Sequence, residues 1–190
     1  LAAFGEIARE RFVEPALSAL AYSDSSMPAL KAAGRPLLAP AVLARLIQAA
    51  GPRAGERALD VGGGSGYSAA VLARLGVHVV ALETAKAAEG LKSLLGADPA
   101  VEIITGDLRE GAPSKAPFDL ILVNGAFEIA PVRLTDQLAQ HGRLVGVDAS
   151  FQAPKAVLIE KVGAATSRRT LFDAAAPRVE EFRASPEFAF

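Results

Sequence analysis

From Arg57 onward, short apolar runs alternate with segments of helical periodicity, and this alternation limits the possible folds more than any other feature. Continuous apolar strands separated by helices are typical of a parallel sheet that is covered on both faces. The apolar runs are Ala58–Val61, His78–Leu82, Val101–Ile104, Leu120–Val123 and Leu144–Val147. The helices predicted between them are Tyr67–Leu75, Ala85–Leu95 and Val132–Gln140. Two later runs, Ala156–Val162 and Arg168–Phe172, predict antiparallel strands at one edge. The pattern predicts a doubly wound, mostly parallel α/β domain that binds its ligand at the carboxyl ends of the strands.

The residues before this region predict a helical extension. Apolar residues on one stripe predict a helix over Ala2–Phe12, which Pro15 ends or restarts. The segment Ala21–Gly34 is rich in Ser, Asp, Pro and Gly and predicts a loop. A second helix is expected over Pro40–Ala50, because Pro suits the first turn of a helix. Because the chain begins with Leu rather than Met, we also expect further residues upstream.

Length and composition limit the class of protein. A chain of 190 residues predicts one domain over residues 1–190, with the extension in residues 1–50 and the α/β core in residues 51–190. The 20 Lys and Arg nearly balance the 21 Asp and Glu, which argues against binding nucleic acid by phosphate neutralisation. Without Cys and with only two His, neither a disulfide framework nor a metal site is expected. No apolar run reaches 18 residues, so we expect a cytoplasmic protein without a membrane partner.

The segment Asp60–Tyr67, with the sequence D-V-G-G-G-S-G-Y, lies between the first predicted strand and the first predicted helix. Glycines there let the backbone turn tightly and approach a ligand closely. The dinucleotide fingerprint and the serine-hydrolase elbow each need Gly where Tyr67 stands, and a P-loop needs a Lys that is absent. The remaining pattern is acidic-x-G-x-G-x-G, with Asp60 ending the strand.

Two acidic residues follow the next predicted strands. Glu83 ends the second strand, where a carboxylate can accept hydrogen bonds from both hydroxyls of an adenosine ribose. Asp107, in the pair Gly106-Asp107 after the third strand, could accept a hydrogen bond from the amine of adenine. An ordinary loop or helix-capping role for Asp107 remains equally open.

In combination, these motifs and the segment Phe118–Val123 resemble class I S-adenosylmethionine-dependent methyltransferases, and most closely the protein-L-isoaspartate O-methyltransferase family. That family reads G-S-G-Y in the glycine loop, R-x-F-V-P and A-Y-x-D upstream, E-I-P after the fourth strand and Q-L-x-x-G-G-R-L after that. The similar segments here are Gly64–Tyr67, Arg11–Glu14, Ala21–Asp24, Glu128–Pro131 and Gln137–Leu144. The resemblance covers most of residues 9–147.

The resemblance implies S-adenosylmethionine as the cofactor and isoaspartyl residues of damaged proteins or peptides as the substrate. The cofactor residues it implies are Asp60, Gly62, Gly63, Gly64, Ser65, Gly66, Glu83, Gly106, Asp107, Leu108 and Asn124. The candidates on the substrate side are Tyr22, Ser23, Asp24, Ser26 and Leu38. A carboxylate acceptor is already ionised at pH 7, because its pKa is about 3.3–3.9, so no general base is required.

The sequence departs from the family where T-I-S-x-P-H-M is usual. The aligned stretch is Pro36–Val42, so that the family's Ser falls on Leu38 and its His on Ala41. The first hypothesis is therefore an isoaspartyl repair methyltransferase. A methyltransferase with another acceptor, and a catalytically silent protein that binds the cofactor, remain as alternatives.

Overall fold

The computed structural model describes residues 2–30 and 34–184. Five α-helices are assigned there, α1 Ala2–Glu6, α2 Pro40–Ala50, α3 Tyr67–Arg74, α4 Ala85–Leu95 and α5 Val132–Asp136. The first four strands are β1 Met27–Pro28, β2 Pro36–Leu37, β3 Arg57–Val61 and β4 His78–Glu83. The remaining strands are β5 Val101–Thr105, β6 Phe118–Phe127, β7 Leu138–Asp148, β8 Lys155–Val162 and β9 Ala165–Asp173. Short 3₁₀ helices cover Arg9–Phe12, Pro15–Leu20, Pro113–Lys115 and Glu180–Phe182.

A seven-stranded sheet with the order β5-β4-β3-β6-β7-β8-β9 forms the centre of the molecule. The strands from β5 to β7 pair in parallel, and β8 and β9 add antiparallel hairpin strands at one edge. The strand order reverses between β3 and its neighbours, so the first βα turn opens at the topological switch point where such sheets bind ligands. The predicted fold class, a doubly wound and mostly parallel α/β sheet with an N-terminal extension, is confirmed.

Apolar side chains cover both faces of the sheet, as the continuous apolar runs predict. On one face, Ala58 and Leu122 pack into a cluster that includes Phe12 of the extension and Leu43 of α2. On the other face, Leu59 and its neighbours pack into a second cluster with residues of α5 and of the C-terminal 3₁₀ helix. Since successive strand residues point to opposite faces, the polar Asp60 reaches the edge of the sheet on the same side as Ala58.

Helix α2 has the predicted bounds, and its ends explain why. Pro40 occupies the first helical turn, where its missing N–H is not needed. Gly51 ends the helix in a left-handed conformation with φ of 56°, which glycine adopts without strain. Within the described part of the chain, no helix combines the length and the apolar character needed to cross a bilayer.

Two predicted helices are several residues longer than the observed ones. The helix predicted over Val132–Gln140 ends at Asp136, because the side chain of Gln137 binds the backbone of Glu110 and Ala112 and β7 begins at Leu138. The helix predicted over Ala2–Phe12 breaks into α1 and a 3₁₀ turn. Its break accompanies the burial of Arg9, whose guanidinium donates to the carbonyl oxygens of Ala21 and Leu38 at 2.7 Å each.

The predicted loop Ala21–Gly34 contains one short strand that the sequence did not indicate. Strand β1 pairs with β2 in an antiparallel ladder that joins Met27 to Leu37 and Pro28 to Pro36. Residues 31–33 of this predicted loop lie outside the described residues. Because β1 and β2 are paired, the polar segment that precedes β1 lies near the start of helix α2, which follows β2.

Candidate active site

The glycine-rich turn lies between β3 and α3, as predicted. Gly62, Gly64 and Gly66 have positive φ angles of 68°, 62° and 92°, which explains why glycine stands at each of them. Gly62 N–H donates to the carbonyl oxygen of Leu82, so the turn is fastened to the end of β4. A Cβ at Gly63 would lie 2.4 Å from Oδ2 of Asp60, so the turn also closes tightly over that carboxylate.

Asp60 is held inside the turn. Its side chain is only 1% exposed, and it accepts hydrogen bonds from the Ser68 hydroxyl at 2.9 Å and from Nδ2 of Asn124 at 2.7 Å. Burial raises the pKa of Asp60 from 3.8 to about 6, although the two hydrogen bonds act in the opposite direction. Asn124 therefore contacts the carboxylate beneath the turn, and its amide positions Asp60.

Glu83 ends β4 beside the turn and is also only 1% exposed. One carboxylate oxygen accepts the N–H of Gly64 at 2.7 Å, and the other accepts the N–H of Thr84 at 3.0 Å. Burial raises the pKa of Glu83, while the Arg35 guanidinium and these two amides oppose that rise. The arrangement presents an oriented carboxylate at the turn, as its position in the sequence predicted.

Arg35 covers this carboxylate, and sequence reasoning did not identify it. Its Nε donates to Glu83 at 3.2 Å, and its Nη2 donates to Glu181 of the C-terminal 3₁₀ helix. Its backbone oxygen would lie 3.1 Å from a Cβ at Gly64, and its Cδ would lie 3.9 Å from a Cβ at Gly62. Arg35 thus occupies the space in front of the turn. No local signal in the sequence marks a contact between residues so far apart.

Leu108, Ser65 and Asp107 are further predicted cofactor residues. Leu108 is fully buried, and its Cδ1 would lie 3.2 Å from a Cβ at Gly62. The Ser65 hydroxyl donates to the carbonyl oxygen of Phe12, so its side chain ties the turn to the extension. Asp107 is exposed and accepts the N–H of Arg109 at 2.8 Å, which is the loop-capping role left open for it.

The residues at this turn fit an adenosyl group with hydroxyl donors. A Cβ at Gly62 would lie 3.2 Å from Cδ1 of Leu108, and one at Gly64 would lie 3.1 Å from the backbone oxygen of Arg35, so side chains are excluded from the front of the turn. Glu83 provides an acceptor pair at the edge of that space, and a ribose diol is a suitable donor pair. Because Arg35 uses one oxygen of Glu83, a ligand that binds there must displace its guanidinium.

The substrate-side predictions divide into two groups. Asp24 and Ser26 line a cavity of about 470 Å³ with residues of α2 and of the segment after β9. Tyr22 and Ser23 lie outside its lining, because the Tyr22 hydroxyl contacts Glu10 and Arg9 and the Ser23 hydroxyl donates to Leu20. Leu38 is 2% exposed and packs in the core, so its side chain does not replace the family's Ser at this cavity.

Metal chemistry has no obvious place among the residues described. Residues 2–30 and 34–184 contain no group of three or more His, Cys, Asp or Glu side chains that could hold an ion. The two predicted cofactor carboxylates, Asp60 and Glu83, are instead held by amide, hydroxyl and guanidinium donors.

A glycine-rich turn after the first strand of the large sheet and a buried carboxylate at the end of the second are features of Rossmann-like folds that bind a cofactor with an adenosine group. The sequence model of the family described as protein-L-isoaspartate(D-aspartate) O-methyltransferase matches residues 1–170. The chain belongs to this family. The predicted resemblance is therefore confirmed.

Individual relatives agree with this assignment. The chain is 45% identical over 147 residues to the protein-L-isoaspartate O-methyltransferase of Methylorubrum populi. The aligned region covers 76% of this chain and 68% of the relative. Other curated relatives with the same description are covered over 55 to 71% of their length. The chain therefore spans little more than half to about seven-tenths of these proteins.

Solved structures give the same fold. A structure described as a protein-L-isoaspartate O-methyltransferase superposes with a TM-score of 0.82 and 25% identity, over 95% of this chain and 61% of that one. A second, from Plasmodium falciparum, is described as a β-aspartate methyltransferase in complex with S-adenosyl-L-homocysteine. It superposes with a TM-score of 0.80 and 20% identity, over 95% of this chain and 89% of that chain.

Proposed function

We propose that this chain transfers a methyl group from S-adenosylmethionine to the free carboxylate of L-isoaspartyl residues in damaged proteins. The observation that carries the proposal is the buried Glu83 carboxylate, which two backbone amides orient beside the glycine-rich turn. The family to which the chain belongs supports the choice of reaction and substrate.

The cofactor would be held by the residues around the turn. Glu83 would accept the ribose hydroxyls, and the glycines Gly62 and Gly64 would allow close approach to the backbone. The turn precedes α3, whose first N–H groups add positive potential there. Asp107 and Leu108 would border the adenine, and Asp60 would support the turn from below. When bound, S-adenosylmethionine supplies an electrophilic methyl group.

The acceptor needs to be positioned rather than activated. A free carboxylate with a pKa of about 3.3–3.9 is already a nucleophile at neutral pH. The protein's task is then to orient it and to keep water away, and orientation alone can lower a barrier by about 7–11 kcal/mol.

We propose that residues 1–190 act as one methyltransferase unit, in which residues 1–50 close the substrate side and residues 51–190 bind the cofactor. Its partners would be protein or peptide chains that contain isoaspartate. Nucleic acid is an unsuitable partner for a chain with a net charge of −1. The cytoplasm is the proposed compartment, in keeping with a sequence that has no Cys for disulfides.

A methyl-transfer assay tests the proposal directly. The chain is incubated with S-adenosylmethionine that carries a labelled methyl group, and with an isoaspartyl peptide or its ordinary aspartyl twin. Base-labile methyl ester is expected on the isoaspartyl peptide only. Calorimetry with S-adenosylhomocysteine runs in parallel. Cofactor binding without ester formation on either peptide would contradict the proposed reaction, and would favour another acceptor or a silent role.

A further inference from the structure

The cavity of about 470 Å³ that Asp24 and Ser26 line is at the same edge of the sheet as the glycine-rich turn. Its far wall is the segment that leaves β9, and β9 ends in register with the start of β8 and the end of β7. Its near wall is one face of α2, which presents Ala41 and Arg45 one turn apart. Ala41 is the position where the family usually has His, so the cavity lies where the sequence loses a polar group.

Among the described residues that line this cavity, Arg45 is the one cationic residue. Its guanidinium lies over the ring of Phe172, with Cζ 3.6 Å from the ring centroid. Arg45 itself is exposed, and it makes no ion pair or side-chain hydrogen bond with any residue that the structure describes. Stacking on an aromatic ring restricts the side chain without using its N–H donors, so a planar fork of donors remains available for a carboxylate.

Two acidic residues line the same cavity. Asp173 accepts a hydrogen bond from Nζ of Lys155 at 2.5 Å, so its charge is compensated. Asp24 takes part in no ion pair among residues 2–30 and 34–184. Within the described lining, Arg45 is therefore a cation and Asp24 an anion that takes part in no ion pair.

We propose that Arg45 binds the methyl-accepting carboxylate of the substrate, while Asp24 accepts the N–H on the same carbon of the substrate. The inference rests on the proposed function and identifies the groups that recognise its substrate. An isoaspartyl residue carries its free carboxylate and its backbone N–H on one carbon. An ordinary aspartyl residue carries its free carboxylate one methylene further from that N–H. A donor and an acceptor fixed on opposite walls of one cavity would therefore distinguish the two. Arg45 also supplies the donor that Leu38 and Ala41 cannot.

Two substitutions at Arg45 test this role. In methylation assays, Arg45→Gln should raise the KM for an isoaspartyl peptide by roughly ten- to a hundredfold, the usual effect of losing a hydrogen bond between charged groups. Arg45→Lys keeps the charge and should raise KM by less than about tenfold. Both variants should bind S-adenosylhomocysteine within about twofold of the wild type, because Arg45 is not at the turn. Arg133→Gln, which removes an exposed cation on α5, is the matched control.

A binding experiment separates recognition from a structural role. Calorimetry with S-adenosylhomocysteine present compares the isoaspartyl peptide with an analogue whose α-carboxylate is a carboxamide. The wild type should prefer the carboxylate by at least about tenfold, and Arg45→Gln should lose that preference. An unchanged preference in Arg45→Gln, in a wild type that methylates the isoaspartyl peptide, overturns the role of Arg45 alone. A wild type that binds the cofactor but never methylates that peptide overturns the proposed function as well.

Discussion

Arg35 donates a hydrogen bond from Nε to the Glu83 carboxylate at 3.2 Å, and this contact closes the space in front of the glycine-rich turn. The same guanidinium also binds Glu181, so it links the N-terminal extension, the turn and the C-terminal segment. Glu83 is the residue proposed to hold the ribose. On this proposal, the cofactor and Arg35 would compete for one carboxylate.

Removal of Arg35 should tighten cofactor binding. Arg35→Gln no longer has to be displaced, so the affinity for S-adenosylhomocysteine should rise by roughly three- to tenfold, the effect of a partly exposed ion pair of about 1 kcal/mol. Isothermal calorimetry of both proteins at the same pH measures this change. Glu181→Gln should act in the same direction, because Glu181 holds the guanidinium in place.

Arg183→Gln is the control for this experiment, since Arg183 is an exposed cation of the same C-terminal segment that pairs only locally with Glu180. Its affinity should equal that of the wild type. If Arg35→Gln instead binds the cofactor more weakly, Arg35 contacts the cofactor and does not compete with it.

Substitution of Glu83 should weaken cofactor binding. Glu83→Gln keeps the size of the side chain but removes the charge that strengthens the ribose hydrogen bonds. The affinity for S-adenosylhomocysteine should fall by roughly ten- to a hundredfold, equivalent to about 1.5–3 kcal/mol. Glu89→Gln on the exposed face of α4 controls for the loss of one acidic group. A change of less than twofold in Glu83→Gln would mean that the ribose binds elsewhere.

Sequence patterns predicted the elements that depend on local contacts. The strands β3, β4 and β5 differ from their predicted bounds by one residue at most, because each contains a short apolar run that follows a turn or loop. Helix α5 was predicted too long, because the side chain of Gln137 contacts a loop that lies far away in sequence. A helical pattern contains no information on such a contact.

The candidate site shows the same division. Asp60 and Glu83 were proposed as site residues because Asp60 is the last residue but one of β3 and Glu83 is the last residue of β4. Arg35 was not predicted, since its partner Glu181 is 146 residues away in the chain. Leu38 was placed at the substrate by alignment alone, whereas the structure buries it and places Asp24 beside the cavity. The positions of Arg35 and Leu38 depend on contacts between segments that are distant in the sequence, which local patterns do not reveal.

Gly64→Ala should weaken cofactor binding, whereas its loss of folding stability should be no larger than that of a matched glycine variant. A Cβ at Gly64 would lie 3.1 Å from the backbone oxygen of Arg35, in the space proposed for the cofactor, and φ is +62°. Gly55→Ala is a matched control, because its φ is +85° and nothing lies within 4 Å of the added Cβ. Each variant should lose about 1–2 kcal/mol of stability to backbone strain.

The two glycine variants should differ in affinity. Gly64→Ala should bind S-adenosylhomocysteine at least tenfold more weakly, whereas Gly55→Ala should bind as the wild type does. Thermal unfolding checks that both are folded at the temperature of the calorimetry. Equal affinities in two folded variants would remove the front of the turn from the cofactor site.

The buried Asp60 should make stability depend on pH. Its pKa is raised from 3.8 to about 6 by burial, so the folded chain binds this proton more tightly than the unfolded chain does. The resulting contribution to stability is complete below about pH 4 and is lost as the pH rises to about 6. Above that pH the buried carboxylate destabilises the fold by up to about 3 kcal/mol, at about 1.4 kcal/mol for each unit of pKa shift.

Asp60→Asn removes this penalty, because a neutral amide can still accept from Asn124 and can donate to the Ser68 hydroxyl. Urea unfolding of both proteins between pH 4 and pH 8 measures the effect. The variant should exceed the wild type in free energy of unfolding by about 2–3 kcal/mol at pH 7, and this difference should shrink toward zero near pH 4. Asp136→Asn, at the exposed end of α5, controls for the loss of one acidic group. A difference between Asp60→Asn and the wild type that stays constant across this range would show that the Asp60 carboxylate titrates alike in the folded and unfolded chains.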